Sequence, residues 1–259
     1  MKSILHSKNI LFISKYLLVG LQVLFLVSCI SSQQVTQMGL AEFQNIKEKQ
    51  KISKNQTYKK QVERVSKRLL QAMGETGEWE FVVFEDDTPN AFALPGGKVG
   101  IHTGIFQITK TDAGLATVLS HEIAHVLQGH SLSQVNKAQG VGLAGLAINV
   151  ILLQSDADKQ TIISTNQAYA ALTQIGFMLP NSRAHEYEAD IVGMQYMAKA
   201  GYNPAEAVKL WERFADYNKK KGKSTTPEFL RTHPLDASRI KALRQELPKA
   251  NAIYLRNKG

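Results

Sequence analysis

A single cysteine, Cys29, occurs in 259 residues, so no internal disulfide can form and stability must come from packing. The first 28 residues hold no aspartate or glutamate. There is no P-loop, RNP motif, zinc-finger spacing or internal repeat, so nucleotide-binding and modular nucleic-acid classes find no support. The apolar stretch GVGLAGLAINVILL, Gly140–Leu153, has 14 residues, short of the roughly 20 that a membrane span needs. It reads as a buried helix or hairpin, with an apolar flap or membrane-dipping patch as the alternative. Basic residues outnumber acidic ones, 31 to 22, for a net charge of +9. Without the first 28 residues the excess is +6, which favours an anionic lipid surface or an acidic partner and does not call for nucleic acid.

Lys2, Lys8 and Lys15 precede the apolar run YLLVGLQVLFLVS, Tyr16–Ser28. This pattern predicts an export signal. The run ends in LVSC, and a small residue directly before a lone cysteine resembles a bacterial lipobox. Residues 1–28 are therefore expected to be a lipoprotein signal peptide, and Cys29 the lipidation site that anchors the chain to a membrane. An uncleaved anchor, or a plain signal with an incidental cysteine, is the alternative. Ile30, where an inner-membrane retention signal would have aspartate, points the expectation to the periplasmic side of a bacterial outer membrane.

What the chain does have is SHEIAHVLQGH, Ser120–His130. His121 and His125 are four apart, so a helix puts both imidazoles on one face within reach of one cation. Glu122 lies about 100° round the helix, placed to contact water rather than the metal. Two neutral imidazoles and a carboxylate base are what zinc-assisted hydrolysis needs. Thr111 or Asp112 would cap this helix, and Gly129 would end it. The metzincin pattern HExxHxxGxxH misses here by one residue at Gly129 and His130. His130 is thus expected to be a partly exposed histidine at a helix end.

A third ligand must come from elsewhere. In NSRAHEYEADIVGMQYMAKAG, Asn181–Gly201, Glu186 and Asp190 share a face with the small residues Ala189 and Gly193. That stripe lets a second helix approach closely. Glu186 would be the third protein ligand, with His185 a weaker rival. Asp190 would accept an N–H from His121 or His125. Glu188, about 200° from Glu186, should face solvent.

Elsewhere, residues 31–37 read as a polar tether and Lys47–Met73 as a basic helical stretch. Glu78–Asp86 reads as a strand, and Asn90–Gly104 as two short strands around a Pro-Gly-Gly turn. Beyond Thr111 the pattern is helical. The expected fold is α+β, mainly helical, a zincin-type (gluzincin) catalytic domain with a small β-sheet beside the HExxH helix. The expected organisation is a signal peptide over 1–28, a tether and N-terminal segment over 29–46, and a zinc metallopeptidase domain over 47–259.

HExxH followed about sixty residues later by ExxxD in an SRxxExEAD context resembles the HtpX-like and CAAX-prenyl-protease type of zinc metallopeptidase. The likeness is greatest to its exported lipoprotein branch, LoiP- or BepA-like, without a repeat domain. NAFALPGGKVGIHTG, AGYNPAEAVKLWERF and PEFLRTHPLDASRI resemble further motifs of that family in its order, over roughly Leu40–Leu247. The resemblance implies His121, His125 and Glu186 as zinc ligands, one Zn2+ per chain, with Glu122 as general base and Asp190 behind the ligands. It also implies catalytic roles for His233 and Arg239 of HPxxxxR, either of which would steady the developing oxyanion. An extended substrate would add to the strand at Ala91, Phe92, Ala93 and Leu94. The function implied is a membrane-anchored endopeptidase that cleaves misfolded or misassembled envelope proteins. A chaperone-like assembly factor with little or latent proteolysis is the alternative, and hydrolysis of a non-protein amide ranks below both. His233, in a Pro-flanked loop, is also a candidate latch over the open metal position.

Overall fold

Asn55 caps the helix that packs behind the small sheet. Its side chain accepts from the amides of Thr57 and Tyr58, two donors that a helix start leaves without partners. The helix it caps, α2 (Gln56–Met73), ends at Gly74 with a φ of 72°, a backbone state that costs glycine least. Ahead of it lies α1 (Ser32–Lys49). The computed structural model describes residues 30–140, 160, 181–221 and 227–258. Its residues within 32–135 and 181–258 form the compact unit that carries every feature below.

Where composition predicts a polar tether over 31–37, Ser32 already starts α1. Val35, Gly39, Phe43 and Ile46 recur at three- and four-residue steps and are buried. Gly39 lies against the turn after the second strand. A Cβ there would come 2.5 Å from the Pro95 carbonyl oxygen, so only glycine lets the helix settle so close. The predicted continuous helix from Lys47 is broken at residues 50–55, where backbone pairing intervenes: Ser53 N–H donates to Val83 O and Glu85 N–H to Lys51 O.

Among the described residues the sheet has three strands, β1 (Glu80–Phe84), β2 (Ala91–Leu94) and β3 (Lys98–His102), in the order β1-β3-β2. β3 is parallel to β1 and antiparallel to β2. The hairpin turns on Gly96 and Gly97, both at positive φ. β2 is thus an edge strand, and it packs against the helix that carries HExxH.

A short α3 (Phe106–Thr109) leads to α4 (Asp112–Leu127), capped by Thr111, whose side chain accepts from Gly114 N–H. α5 (Arg183–Lys199) starts at Ser182, which accepts from His185 N–H. α6 (Ala205–Lys221), α7 (Glu228–Thr232) and α8 (Ala237–Asn257) follow. α4 lies at the centre, packed by α5 and β2 and flanked by α2 and α6. Gly114 to His125 are accordingly buried without interruption, not along one stripe only. The described chain is mainly helical with one small sheet, a zincin-type metallopeptidase domain. Among the described residues no helix is long and apolar enough to cross a membrane. The signal peptide, Cys29 and all of the apolar stretch after Gly140 lie outside the described residues.

Candidate metal centre

Four side chains from three places in the chain converge on one point. His121 and His125, one turn apart on α4, bring their Nε2 atoms to 3.0 Å from each other. Glu186 on α5 places Oε1 3.3 Å from His125 Nε2 and Oε2 3.5 Å from His121 Nε2. His233, at the end of α7, places Nδ1 3.2 Å from His121 Nε2 and 3.0 Å from Glu186 Oε1. All four are buried.

The small residues of α5 make this meeting possible. Ala189 and Gly193 are buried in the interface, and a Cβ on Gly193 would sit 3.0 Å from the His121 amide nitrogen. Asp190, one turn after Glu186, chooses between the two histidines: its Oδ1 is 3.0 Å from His121 Nδ1. That contact keeps a hydrogen on Nδ1 and leaves the lone pair of a neutral His121 on Nε2.

Donor separations of 3.0–3.5 Å among His121, His125 and Glu186 match the about 3.3 Å expected between neighbouring ligands that lie about 2.0–2.1 Å from a tetrahedral zinc. Two facing imidazole nitrogens and a carboxylate are also a donor set for a borderline cation. The residues therefore fit a metal.

The electrostatics show how much charge is concentrated here. Burial alone would lower His121, but its bonds to Asp190 and Glu186 outweigh that and raise it to about 9. Burial pushes His125 well below its ordinary value. Burial opposes the Glu186 charge, yet the neighbouring histidines, His233 first, hold it far below the usual carboxylate range. Glu122 is the exception. Burial raises it, only partly countered by the charges of His233 and His121 and the backbone N–H of Ala93.

Glu122 is 2% exposed and faces His233, whose Nε2 is 3.3 Å from Glu122 Oε1. The His233 ring packs on Phe229 at 4.6 Å between centroids, and Phe229 stacks on Phe214 and Trp211. Arg239 points differently. Its Nε and Nη2 donate to Asp190 at 2.7 and 2.8 Å, and Nη1 donates to Pro234 O at 3.0 Å and lies 2.7 Å from Glu186 Oε2. Its guanidinium also covers the Trp211 ring at 4.0 Å. Ala91, Phe92, Ala93 and Leu94 form the edge strand beside α4.

His130 departs from expectation. It is 3% exposed, with Nδ1 2.7 Å from His125 Nδ1 and Nε2 3.3 Å from Glu188 Oε2. Its ring stacks on His185, with centroids 4.2 Å apart. Gly129, at φ 67°, turns the chain so that a new helix starts at His130 and its ring folds back onto His125. A projection that continues α4 in a straight line misses that turn. The only signal in the sequence is the glycine itself. Glu188, expected to face solvent, is half-exposed and spends one oxygen on this contact. His185 supports that ring and is not among the four converging donors.

Residues 53–247 match the sequence profile of peptidase family M48. The mitochondrial metalloendopeptidase OMA1 of Saccharomyces cerevisiae is 39% identical over 181 residues, 68% of this chain and 49% of that protein. The corresponding protein of Schizosaccharomyces pombe is 37% identical over 190 residues, 73% of this chain and 53% of its own. The beta-barrel assembly-enhancing protease of Yersinia pestis is 31% identical over 163 residues, 62% of this chain and 33% of its own. The chain thus spans about half the length, or less, of these relatives. The expected placement as a bacterial outer-membrane lipoprotein facing the periplasm is corrected by the yeast proteins, which are mitochondrial. The physical reason is that a basic, acid-free leader is common to export signals and organelle-targeting segments, so its charge pattern does not choose between them. By the profile over most of its length and by relatives at this identity, the chain belongs to peptidase family M48, the metal-dependent peptidases.

Proposed function

We propose that this chain is a zinc-dependent endopeptidase that cleaves unfolded or misassembled protein segments. The observation that carries the proposal is the convergence of His121, His125 and Glu186 at 3.0–3.5 Å with the Glu122 carboxylate beside them. Zinc held by these three side chains would polarise the scissile carbonyl and acidify water. Glu122 takes the proton from water and returns it to the leaving amine. Its raised affinity for a proton, caused by burial, suits that exchange. Arg239 has its donors committed to Asp190, Glu186 and Pro234, so we assign it to holding the carboxylates and assign oxyanion stabilisation to His233.

Among the described residues β2 is an edge strand next to α4. An extended substrate pairing there would be read through its backbone, which favours disordered segments over particular side chains. Quality control of misfolded or misassembled envelope proteins is supported by that preference and by the likeness to a Yersinia pestis protein named as a beta-barrel assembly-enhancing protease. Within the family, SRxxExEAD and HPxxxxR support the HtpX-like and CAAX-prenyl-protease type. The packing of α1 on the sheet supports counting it with the metallopeptidase domain. A lipid anchor at Cys29 is carried by LVSC alone, and mass spectrometry of the mature N-terminus tests it.

A second reading has one observation behind it. His233 occupies the remaining side of the donor set, with Nδ1 near both His121 and Glu186. A latch of this kind would make the free protein latent and its binding role the more visible one.

The deciding experiment is metal analysis together with cleavage of an unfolded protein, with and without a chelator, for wild type and Glu122→Gln. Zinc in both and cleavage in wild type alone is the expected result. Equal function of the two in vivo would establish the binding role instead, and absence of bound metal would sink both.

A further inference from the structure

Outside the donor set, two imidazole nitrogens meet head-on. His125 Nδ1 and His130 Nδ1 are 2.7 Å apart, so one carries the shared hydrogen and the other accepts it. The far side of His130 decides which. There Nε2 lies 3.3 Å from Glu188 Oε2, and an ionised carboxylate only accepts. The His130 hydrogen therefore sits on Nε2. At 3% exposure, burial favours the uncharged ring with a single N–H. His130 Nδ1 is then the acceptor and His125 Nδ1 the donor. A neutral His125 with its hydrogen on Nδ1 has its lone pair on Nε2, the atom that faces His121 Nε2 and Glu186 Oε1.

The supports of this chain of contacts are built in. Gly129 makes the turn that brings His130 back, and the His185 ring lies nearly parallel to His130, at 8°. His185 and Glu188 both stand on α5, the helix that supplies Glu186. One helix thus delivers a donor and orients both α4 histidines. It acts on His121 directly through Asp190, and on His125 through one intervening imidazole.

We propose that His130, held by Glu188 and the His185 ring, is a positioning residue that fixes the tautomer and rotation of His125, and so its strength as a metal ligand. The proposal rests on the zinc reading above.

Zinc affinity of the full chain, measured by competition with a chromophoric chelator, tests it. His130→Phe keeps a ring to stack on His185 but offers no acceptor. It is expected to bind zinc about 10–100-fold more weakly, while the metal-free protein still melts cooperatively, at a midpoint lowered by the one buried N–H left unpaired. His130→Asn restores a carbonyl acceptor and is expected to recover part of the loss. Glu188→Ala, one bond further away, is expected to lose less. A His130→Phe protein that binds zinc within about twofold of wild type overturns the proposal, since the lost bond is expected to cost tenfold or more. If that variant does not fold, Glu188→Ala decides, because its side chain is half-exposed and dispensable to the core; unchanged affinity there overturns it equally. A wild type that takes up no zinc is a different result and removes the metal reading itself.

Discussion

Gly193 lets α5 lie on the backbone of His121: a Cβ at position 193 would stand 3.0 Å from the His121 amide nitrogen and 3.1 Å from the Ser120 carbonyl carbon. These are backbone atoms of a buried helix and cannot swing aside. The distance between α4 and α5, and with it the reach of Glu186 to the histidines, is set at this contact.

Gly193→Ala should therefore lower stability although alanine is the better helix former. Helix propensity would return about 1 kcal/mol, while overpacking a tight contact costs about 1–3 kcal/mol. A lower urea midpoint together with weaker zinc binding is expected. A variant at least as stable as wild type would show that the helices have room to part.

Arg239 is predicted to matter for folding more than for turnover chemistry. It is 4% exposed and neutralises two buried carboxylates, Asp190 and Glu186. Arg239→Ala takes the guanidinium from both and leaves His121 as the cation they share, a loss of about 3–5 kcal/mol for the metal-free protein. Added zinc should recover part of it, since a cation beside Glu186 replaces part of the missing charge. Calorimetric melting with and without zinc measures both effects.

His233→Ala separates the two proposed roles of that side chain. As the oxyanion donor its loss should lower kcat/KM by about 10²–10³-fold while zinc content stays full. A rise in basal cleavage would instead establish the latch. Single-turnover cleavage of an unfolded reporter distinguishes them.

Acid stability should depend on the Asp112–Arg64 pair that joins α4 to α2. Asp112 accepts from Arg64 at 2.7 and 2.8 Å and from Gln61 at 3.0 Å, and these bonds, Arg64 first, hold its carboxyl below the ordinary value of 3.8. A depressed carboxyl contributes stability that is complete above that ordinary value and is lost as pH falls through the lower folded one. The pair is partly exposed, so its worth is under about 1 kcal/mol. Urea midpoints of wild type and Asp112→Asn should differ near neutral pH and converge in acid. A constant gap across that range would mean that the bond does not titrate.

Much of the centre was legible because helices carry regular spacing into space. HExxH at four residues and ExxxD at four residues each define a face, and Ala189 with Gly193 marks where two such faces touch. β2, β3 and their turn were legible from PGG between β-rich runs. The lost parts are those where periodicity stops. Gly129 turns the chain, so His130, expected to be partly exposed at a helix end, lies buried against His125. Residues 32–37 look polar in composition but hold Val35 and so begin the buried stripe of α1. The charge of the first 28 residues was legible, but a destination was not, since organelle and export signals share that charge.

By itself, the order of residues determined which helix faces carry imidazole and carboxylate, because a side chain's direction on a helix follows from its number. Only tertiary structure decided which histidine Asp190 serves, where the Arg239 donors go, and that His233, more than a hundred residues from His121, fills the last side of the cluster. Such choices depend on ångström-scale contacts between segments far apart in the chain, and no local spacing encodes them.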